Sequence, residues 1–549
     1  MHVRALMLFT AVAGLASAQS LAAPPAAPEV TVGADLKQLV FDWSSVPDAA
    51  TYQLYYKMDA AAPFTAVGNP IAAPQTRARV SISVHKQNWV QSRYKVAACN
   101  ASGCTDSAAI SVQDQMLDAI GYFKASNTGA DDQFGRAVAL SRDGRTLVVS
   151  AANEDSSATG VNGNQADNTA MNSGAAYVFR RASNGSWRQE AYLKAGSVNP
   201  LEAFGGTYPM EFKALAVNAD GTLIAIGAPG ETPNSYIGVG AAYIFARAAN
   251  GTWSVAQKLT SPAPIARDFL YYGQAVDLST DGNTLRVLEL KERDGEGNRQ
   301  GEHHIYVRSG GTFVYQTTLT IPHNEVDFCN SGRLSGDGFT FVQYCYSYGP
   351  EHSRVVTWKR MAAGWVKLPA VVLVMNAVTV EVALSNGGQR LAFRDASHPF
   401  SSNVRVFRWG GVAWIEEATL ETPAGTDSSS STWGHVLAFA GDGNMLAIGD
   451  YTGYGGGLGV SDEIQTTPPY GGTVFLYGRT SSATNPWQVR KVVKASNAED
   501  GDGFGLSIAL CGTGATLAVG AIWESSGAKG VDGNQSDNSV PTAGAVYLY

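Results

Sequence analysis

A short turn recurs seven times along this chain: "SRDGRT", "NADGTL", "STDGNT", "SGDGFT", "SNGGQR", "AGDGNM" and "CGTGAT". The second glycines are Gly144, Gly221, Gly282, Gly338, Gly388, Gly443 and Gly514, so each unit occupies about 50 to 77 residues. Runs of alternating hydrophobicity flank each turn, such as "GRAVALS" before it and "TLVVSA" after it. Each turn is therefore predicted to close a hairpin, with Gly supplying the positive φ that tight hairpin turns require. A fixed internal period makes the repeat, rather than the chain length, the unit of folding.

A second hairpin follows in six of the units, for example "GAAYVFRRASNGSW" and "GAAYIFARAANGTW". After its turn an aromatic precedes an aliphatic residue by six positions: Trp187 and Leu193, Trp253 and Leu259, Phe313 and Leu319, Trp365 and Val371, Trp414 and Leu420, Trp487 and Val493. An even separation predicts that both members face the same side of a fourth strand. The last unit lacks that strand and stops at Tyr549, whereas "MLDAIGYFKAS" (116–126) stands unpaired ahead of the first hairpin. It matches "WQVRKVVKAS" before the last unit, with Phe123 at the aliphatic position and the "KAS" of Lys124 recurring at Lys494. Four strands per unit and complementary ends predict an all-β, seven-bladed β-propeller over residues 116–549, its last blade shared between the two termini.

Composition agrees: 60 Gly, 22 Pro and only 16% charged residues favour short strands and turns. Arg4, the apolar run "ALMLFTAVAGLA" and the small residues Ala16, Ser17 and Ala18 read as a secretory signal peptide, residues 1–18. The run is too short for a spanning helix of about 20 residues, and the chain is expected to be secreted, periplasmic or held at the cell surface. A formal charge of −8 argues against nucleic acid as a partner. A Pro/Ala-rich linker (19–28) leads into strand-like runs over residues 29–113, the size of a β-sandwich domain.

Five cysteines suit an oxidising compartment. Cys99 and Cys104 flank the tight loop "NASG", and Cys329 and Cys345 are equidistant from Asp337, so hairpin geometry predicts these two pairs as disulfides. The alternative is reduced, buried thiols. Cys511 is left over at a position where most sister turns carry Ser or Asn.

Two resemblances follow from these residues. Trp43, "TYQLYY" at Thr51 to Tyr56 and "YKVAACNASG" beginning at Tyr94 resemble a fibronectin type III module, which implies a spacer or adhesive unit. "DDQFGRAVALS" with Phe134 and Gly135, "GDGFGLSIALC" with Phe504 and Gly505, and "IGAPG" at Ile226 to Gly230 resemble the FG-GAP repeat propellers to which the integrin α-chain head belongs. Tyr272 replaces Phe in the third unit, and the fourth and fifth lack the element.

The FG-GAP resemblance implies calcium in the first hairpin loops, but all seven are too short to wrap an ion that wants six to eight oxygens. Acidic and amide oxygens concentrate instead in the second connections of the first and last units. These are "GVNGNQADN" with Asn162, Asn164, Asp167 and Asn168, and "GVDGNQSDN" with Asp532, Asn534, Asp537 and Asn538. In a closed ring these units are neighbours, and Asp132 and Asp502 would emerge on the same face. Asn162, Asp167, Asn168, Asp532, Asp537 and Asn538 are candidate calcium ligands; Asp132, Asp502, Asn164 and Asn534 are candidate ligand contacts. The competing reading makes these side chains turn formers that bond their own backbone. "RDGEGNRQGEHH" at Arg293 to His304, with Asp294, Glu296 and Glu302, is a further acidic candidate; His303 and His304 are adjacent and point to opposite faces of a strand.

No HExxH, CxxC, GxSxG or P-loop pattern occurs. The sequence therefore favours an exported, monomeric binding or adhesion protein for an extracellular protein or glycan. An extracellular polysaccharide lyase or hydrolase and a structural envelope scaffold are the alternatives.

Overall fold

The computed structural model describes residues 23–206, 212–232, 238–263, 270–292, 299–321, 328–346, 354–372, 381–398, 401–423, 432–453, 457–464, 469–482 and 484–549. Arg293, Asp294 and Glu296 lie outside the described residues, as does the expected signal peptide. The fold is all-β; among the described residues helix is confined to two single 3-10 turns, Val84–Lys86 and Gln113–Gln115. No helix there is long and apolar enough to cross a membrane.

The chain divides into two compact units, one of residues 1–33, 40–79 and 90–113, the other of 34–39, 80–89 and 114–549. In the first, a sheet of Thr65–Ala72, Thr51–Lys57, Arg93–Asn100 and Gly103–Asp106 surrounds a core of Trp43, Tyr52, Leu54, Tyr94 and Val96. The Trp43 ring lies 5.4 Å from Tyr52, and Phe41 lies 4.8 Å from Tyr94. The Tyr52 hydroxyl accepts the Val46 N–H at 2.8 Å, which satisfies a polar atom inside that core.

Among the described residues of the second unit seven antiparallel sheets of four or five strands follow one another. The first runs Phe134–Leu140, Thr146–Ala151, Ala175–Arg181, Trp187–Leu193. The last runs Phe504–Leu510, Leu517–Ala521, Ala545–Leu548 and then Gly121–Phe123, so the final strands of the chain are completed by an early one. Val546 stands opposite Phe123 and Leu548 opposite Gly121. The arrangement is propeller-like.

The seven turn glycines adopt φ between +59° and +74°, the left-handed conformation their sequence position demands. A Cβ on Gly221 would strike Thr146 of the preceding sheet, and one on Gly144 would strike Thr516 of the last sheet. Glycine thus serves both the turn and the approach of neighbouring sheets. A belt of backbone hydrogen bonds joins the turns: Arg142 N–H to Ala219 O (3.0 Å), Ala219 N–H to Thr280 O (2.8 Å), Thr280 N–H to Gly336 O (2.7 Å), Asp337 N–H to Asn386 O (2.7 Å), Gly441 N–H to Gly512 O (3.0 Å) and Gly512 N–H back to Arg142 O (2.9 Å).

The fourth strands correct one expectation. Trp187 packs with Phe123, Phe179 and Tyr177, whereas Leu193 packs with Val178, Ala191 and Phe204 in the next core. Trp253 and Leu259, and Trp414 and Leu420, divide in the same way. The reason is a bulge: the register with the third strand slips between Val178 and Phe179, and again at Ile244 and Phe245 and at Val406 and Phe407. One inserted residue reverses which face the rest of a strand presents. Trp365 and Val371 do not share a strand at all, since Gly364–Lys367 and Val371–Val372 are separate.

Both expected disulfides form, Cys99–Cys104 and Cys329–Cys345, and Cys511 is free and buried.

Candidate functional site

The connections 152–174 and 522–544 are the longest polar loops of the first and last sheets, and each is pinned from beneath by the same buried network. In the first sheet Glu154 is 1% exposed. Its Oε1 accepts from the Tyr192 hydroxyl (2.7 Å) and Asn127 Nδ2 (2.8 Å), and its Oε2 from Lys194 Nζ (2.9 Å) and the Ser156 N–H (3.2 Å). Asn127 also donates to Gln165 O (3.0 Å), and the Ser156 hydroxyl donates to Asn164 O (2.8 Å). The loop backbone is thereby tied to a fully satisfied polar core.

The last sheet repeats this atom for atom. Glu524 Oε1 accepts from the Tyr122 hydroxyl (2.8 Å) and Asn497 Nδ2 (3.3 Å), and Oε2 from Lys124 Nζ (2.8 Å) and the Ser526 N–H (3.2 Å). Asn497 donates to Gln535 O (2.9 Å) and Ser526 to Asn534 O (2.9 Å). A partial copy occurs in the second sheet, where Glu231 accepts from the Tyr243 hydroxyl at 2.7 Å and from Lys258 Nζ. Burial pulls Lys124 and Lys194 below the ordinary lysine range, and the partnering glutamates oppose that shift.

Within the loops most of the candidate oxygens accept backbone N–H groups. Asn162 and Asp532 hold positive φ, and their Oδ1 atoms accept the N–H groups of Tyr192 (2.9 Å) and Tyr122 (3.1 Å). Asn164 Oδ1 accepts from Ala166 N–H (3.1 Å), Asn534 Oδ1 from Ser536 N–H (3.0 Å). Asp167 accepts from the Ser157 N–H (3.0 Å) and the Thr169 N–H (3.1 Å), Asp537 from those of Gly527 (3.0 Å) and Ser539 (3.0 Å). Hydrogen bonds from Ser157 and Thr169 hold Asp167 below the usual carboxylate range; Ser539 does so for Asp537. Asn538 Nδ2 donates to Glu499 Oε2 (2.7 Å), and Asn168 is exposed. Among the described residues neither loop gathers three acidic or histidine donors within metal-binding reach.

Asp132 and Asp502 lie deeper. Asp132 is 5% exposed and accepts the Gly129 N–H at 2.7 Å; Asp502 is 7% exposed and accepts the Glu499 N–H at 2.9 Å. Burial pushes both carboxyls up to about 7. They share an end of their sheets with the long loops, since Asn153 N–H bonds Asp132 O and Trp523 N–H bonds Asp502 O.

A cavity of about 240 Å³ is lined by the first strands of all seven sheets, with Arg136, Lys213, Asp277, Arg333 and Glu381 on its wall. Arg333 pairs with Glu381 at 2.8 Å, and Asp277 with the buried Arg286 at 2.6 Å. Burial and then Arg333 bring Lys213 down to about 8.

Sequence reasoning missed the buried Tyr–Lys–Glu networks. The signal was present in "GYFKA" and "AYLKA", which place a lysine directly after a Tyr-Phe or Tyr-Leu pair, and in the matching Glu154 and Glu524. A charge at such a position calls for a buried partner.

Residues 122–179 match the FG-GAP repeat. No curated protein matches the chain. Among solved structures it is similar to hydrazine synthase of Kuenenia stuttgartiensis, at 12% identity over 72% of this chain and 93% of that one, with a TM-score of 0.42. It is also similar to the periplasmic gluconolactonase PpgL of Pseudomonas aeruginosa, at 12% identity over 82% and 98%, TM-score 0.40. TolB from Acinetobacter baumannii is similar at 12% identity over 72% and 79%, TM-score 0.30.

Proposed function

We propose that this is an exported, non-enzymatic binding protein of the integrin-α-like FG-GAP class. Its seven sheets are the blades of a closed propeller over residues 116–549, and residues 29–113 are a fibronectin type III-like spacer. The ligand is an extracellular protein or glycan, held at the loops 152–174 and 522–544. The observation that supports this reading is the duplicated buried network, which fixes two like loops by their backbone while leaving Asn164 and Asn534 exposed. A loop already ordered before binding spends little conformational entropy on association. Calcium at Asp167 and Asp537 belongs to the same proposal.

The test is capture on arrays of matrix proteins and glycans, in calcium and in chelator. Saturable capture, weakened at least tenfold by Asn164→Ala with Asn534→Ala, supports the reading; loss in chelator supports the calcium sites. No saturable ligand would leave an envelope scaffold instead.

A second reading rests on Asp132 and Asp502, two buried carboxyls at the same end of their sheets as the two loops. Burial raises both, which suits proton transfer on a polysaccharide. Release of shortened glycan, abolished by Asp132→Asn or Asp502→Asn, would make the protein a carbohydrate-active enzyme.

A further inference from the structure

In the third sheet, strands Thr284–Glu292 and Arg299–Ser309 bring four ionisable side chains to one face. Glu289 stands directly opposite Glu302, while Lys291 and His304 lie two residues further along their respective strands. Period-2 geometry puts all four on the same side. Like charges directly opposed across strands are destabilising, so a cation belongs between them. Lys291 Nζ partly fills that role, 2.7 Å from Glu302 Oε2 and 3.6 Å from Glu289 Oε2.

Lysine leaves the cluster incompletely served. The Glu289 side chain is fully buried, and its Oε1 has no hydrogen-bond partner among the described residues. Its Oε2 receives the Ser261 hydroxyl (2.8 Å) and lies 2.7 Å from His304 Nε2. His304 Nε2 is 3.9 Å from Glu302 Oε2, and donor atoms of Glu289, Glu302 and His304 all fall within 4.8 Å of one another. The other imidazole nitrogen, Nδ1, sits 2.8 Å from Thr318 Oγ1, which orients the ring so that Nε2 faces the carboxylates. A partner on the second ring nitrogen is the usual support of a metal-ligating histidine.

We propose that Glu289, Glu302 and His304 form a binding site for a divalent transition metal, zinc above all, with Lys291 as the cation that occupies it in the metal-free protein. One imidazole nitrogen and two carboxylate oxygens suit zinc and leave a fourth position open, whereas calcium takes oxygen donors alone. Lys291 is 18% exposed, so its ammonium can swing to solvent when the metal enters. The site is independent of the loops 152–174 and 522–544.

The test uses the full chain, purified without a histidine tag and stripped with chelator, titrated calorimetrically with ZnCl2, MnCl2 and CaCl2. One equivalent of zinc should bind saturably, and calcium should produce no heat from this site. His304→Gln and Glu302→Gln should each weaken zinc at least tenfold, with near-UV circular dichroism matching the parent. Lys291→Met should tighten zinc at least threefold, an outcome that misfolding cannot produce. Absence of zinc binding, or zinc binding unchanged in His304→Gln, overturns the site. Weaker or equal binding in Lys291→Met overturns the role given to Lys291. Loss of calcium-dependent capture at Asp167 and Asp537 would leave this result untouched.

Discussion

Lys124 Nζ donates to Glu524 Oε2 across 2.8 Å, joining two buried charges that stand 400 positions apart in the chain. Removing one member of a buried pair strands the other, at a cost of about 3–5 kcal/mol. Lys124→Met should therefore lower stability in urea by about 3 kcal/mol. Adding Glu524→Gln should restore part of the loss, because the amide carries no charge and still accepts from Tyr122. A loss near zero in the single variant would show that the ion pair adds nothing to the strand pairing of Gly121–Phe123 with Ala545–Leu548.

Asp132 and Asp502 predict an unusual pH dependence. Folding raises both carboxyls from 3.8 to about 7, so between these values the folded protein binds more protons than the unfolded chain. The stabilisation is present at low pH and is lost as pH rises through 7. The melting temperature should fall between pH 5 and pH 8, and Asp132→Asn with Asp502→Asn should flatten that slope. Parallel curves for parent and variant in scanning fluorimetry would refute the shift.

The two disulfides should contribute unequally. Cys329–Cys345 closes a sequence separation of 16 and Cys99–Cys104 one of 5. Loop-closure entropy gives about 3 kcal/mol for the larger loop and about 2 kcal/mol for the smaller. Denaturation of the paired Cys→Ser variants measures each loss.

Cys511 performs the task of a hydroxyl. Its Sγ accepts the Thr516 N–H at 3.2 Å, as the Ser141 hydroxyl oxygen accepts the Thr146 N–H at 3.0 Å in the first sheet. Cys511→Ser should change stability by no more than about 0.5 kcal/mol. Cys511→Val, which leaves that N–H unpaired, should cost about 1–3 kcal/mol. Equal effects in thermal denaturation would assign the residue to apolar packing.

Much of the chain is legible in the sequence alone because the relevant forces act locally. The positive φ at Gly144 and its six counterparts is a property of a tight turn, and Cys99 and Cys104 meet because a short hairpin fixes its own pairing; Cys329 reaches Cys345 only through the register slip between Phe328 and Ser331. The candidate loop side chains were also found, yet their oxygens engage Ser157, Ala166 and Thr169 rather than gathering around a common point.

Tertiary structure decided what depends on register and burial. A bulge beside Phe179 sends Trp187 and Leu193 into different cores, and no spacing in the sequence reveals an inserted residue. Glu289 meets Glu302 and His304 only because of the strand register. Lys124 finds Glu524 only when the last sheet takes its fourth strand from Gly121–Phe123. The sequence by itself determined the repeating hairpins, since backbone conformation at a turn is a matter of a few neighbouring residues. Which charges are buried together was settled by packing, since desolvation and pairing exist only once distant strands exclude water from one another.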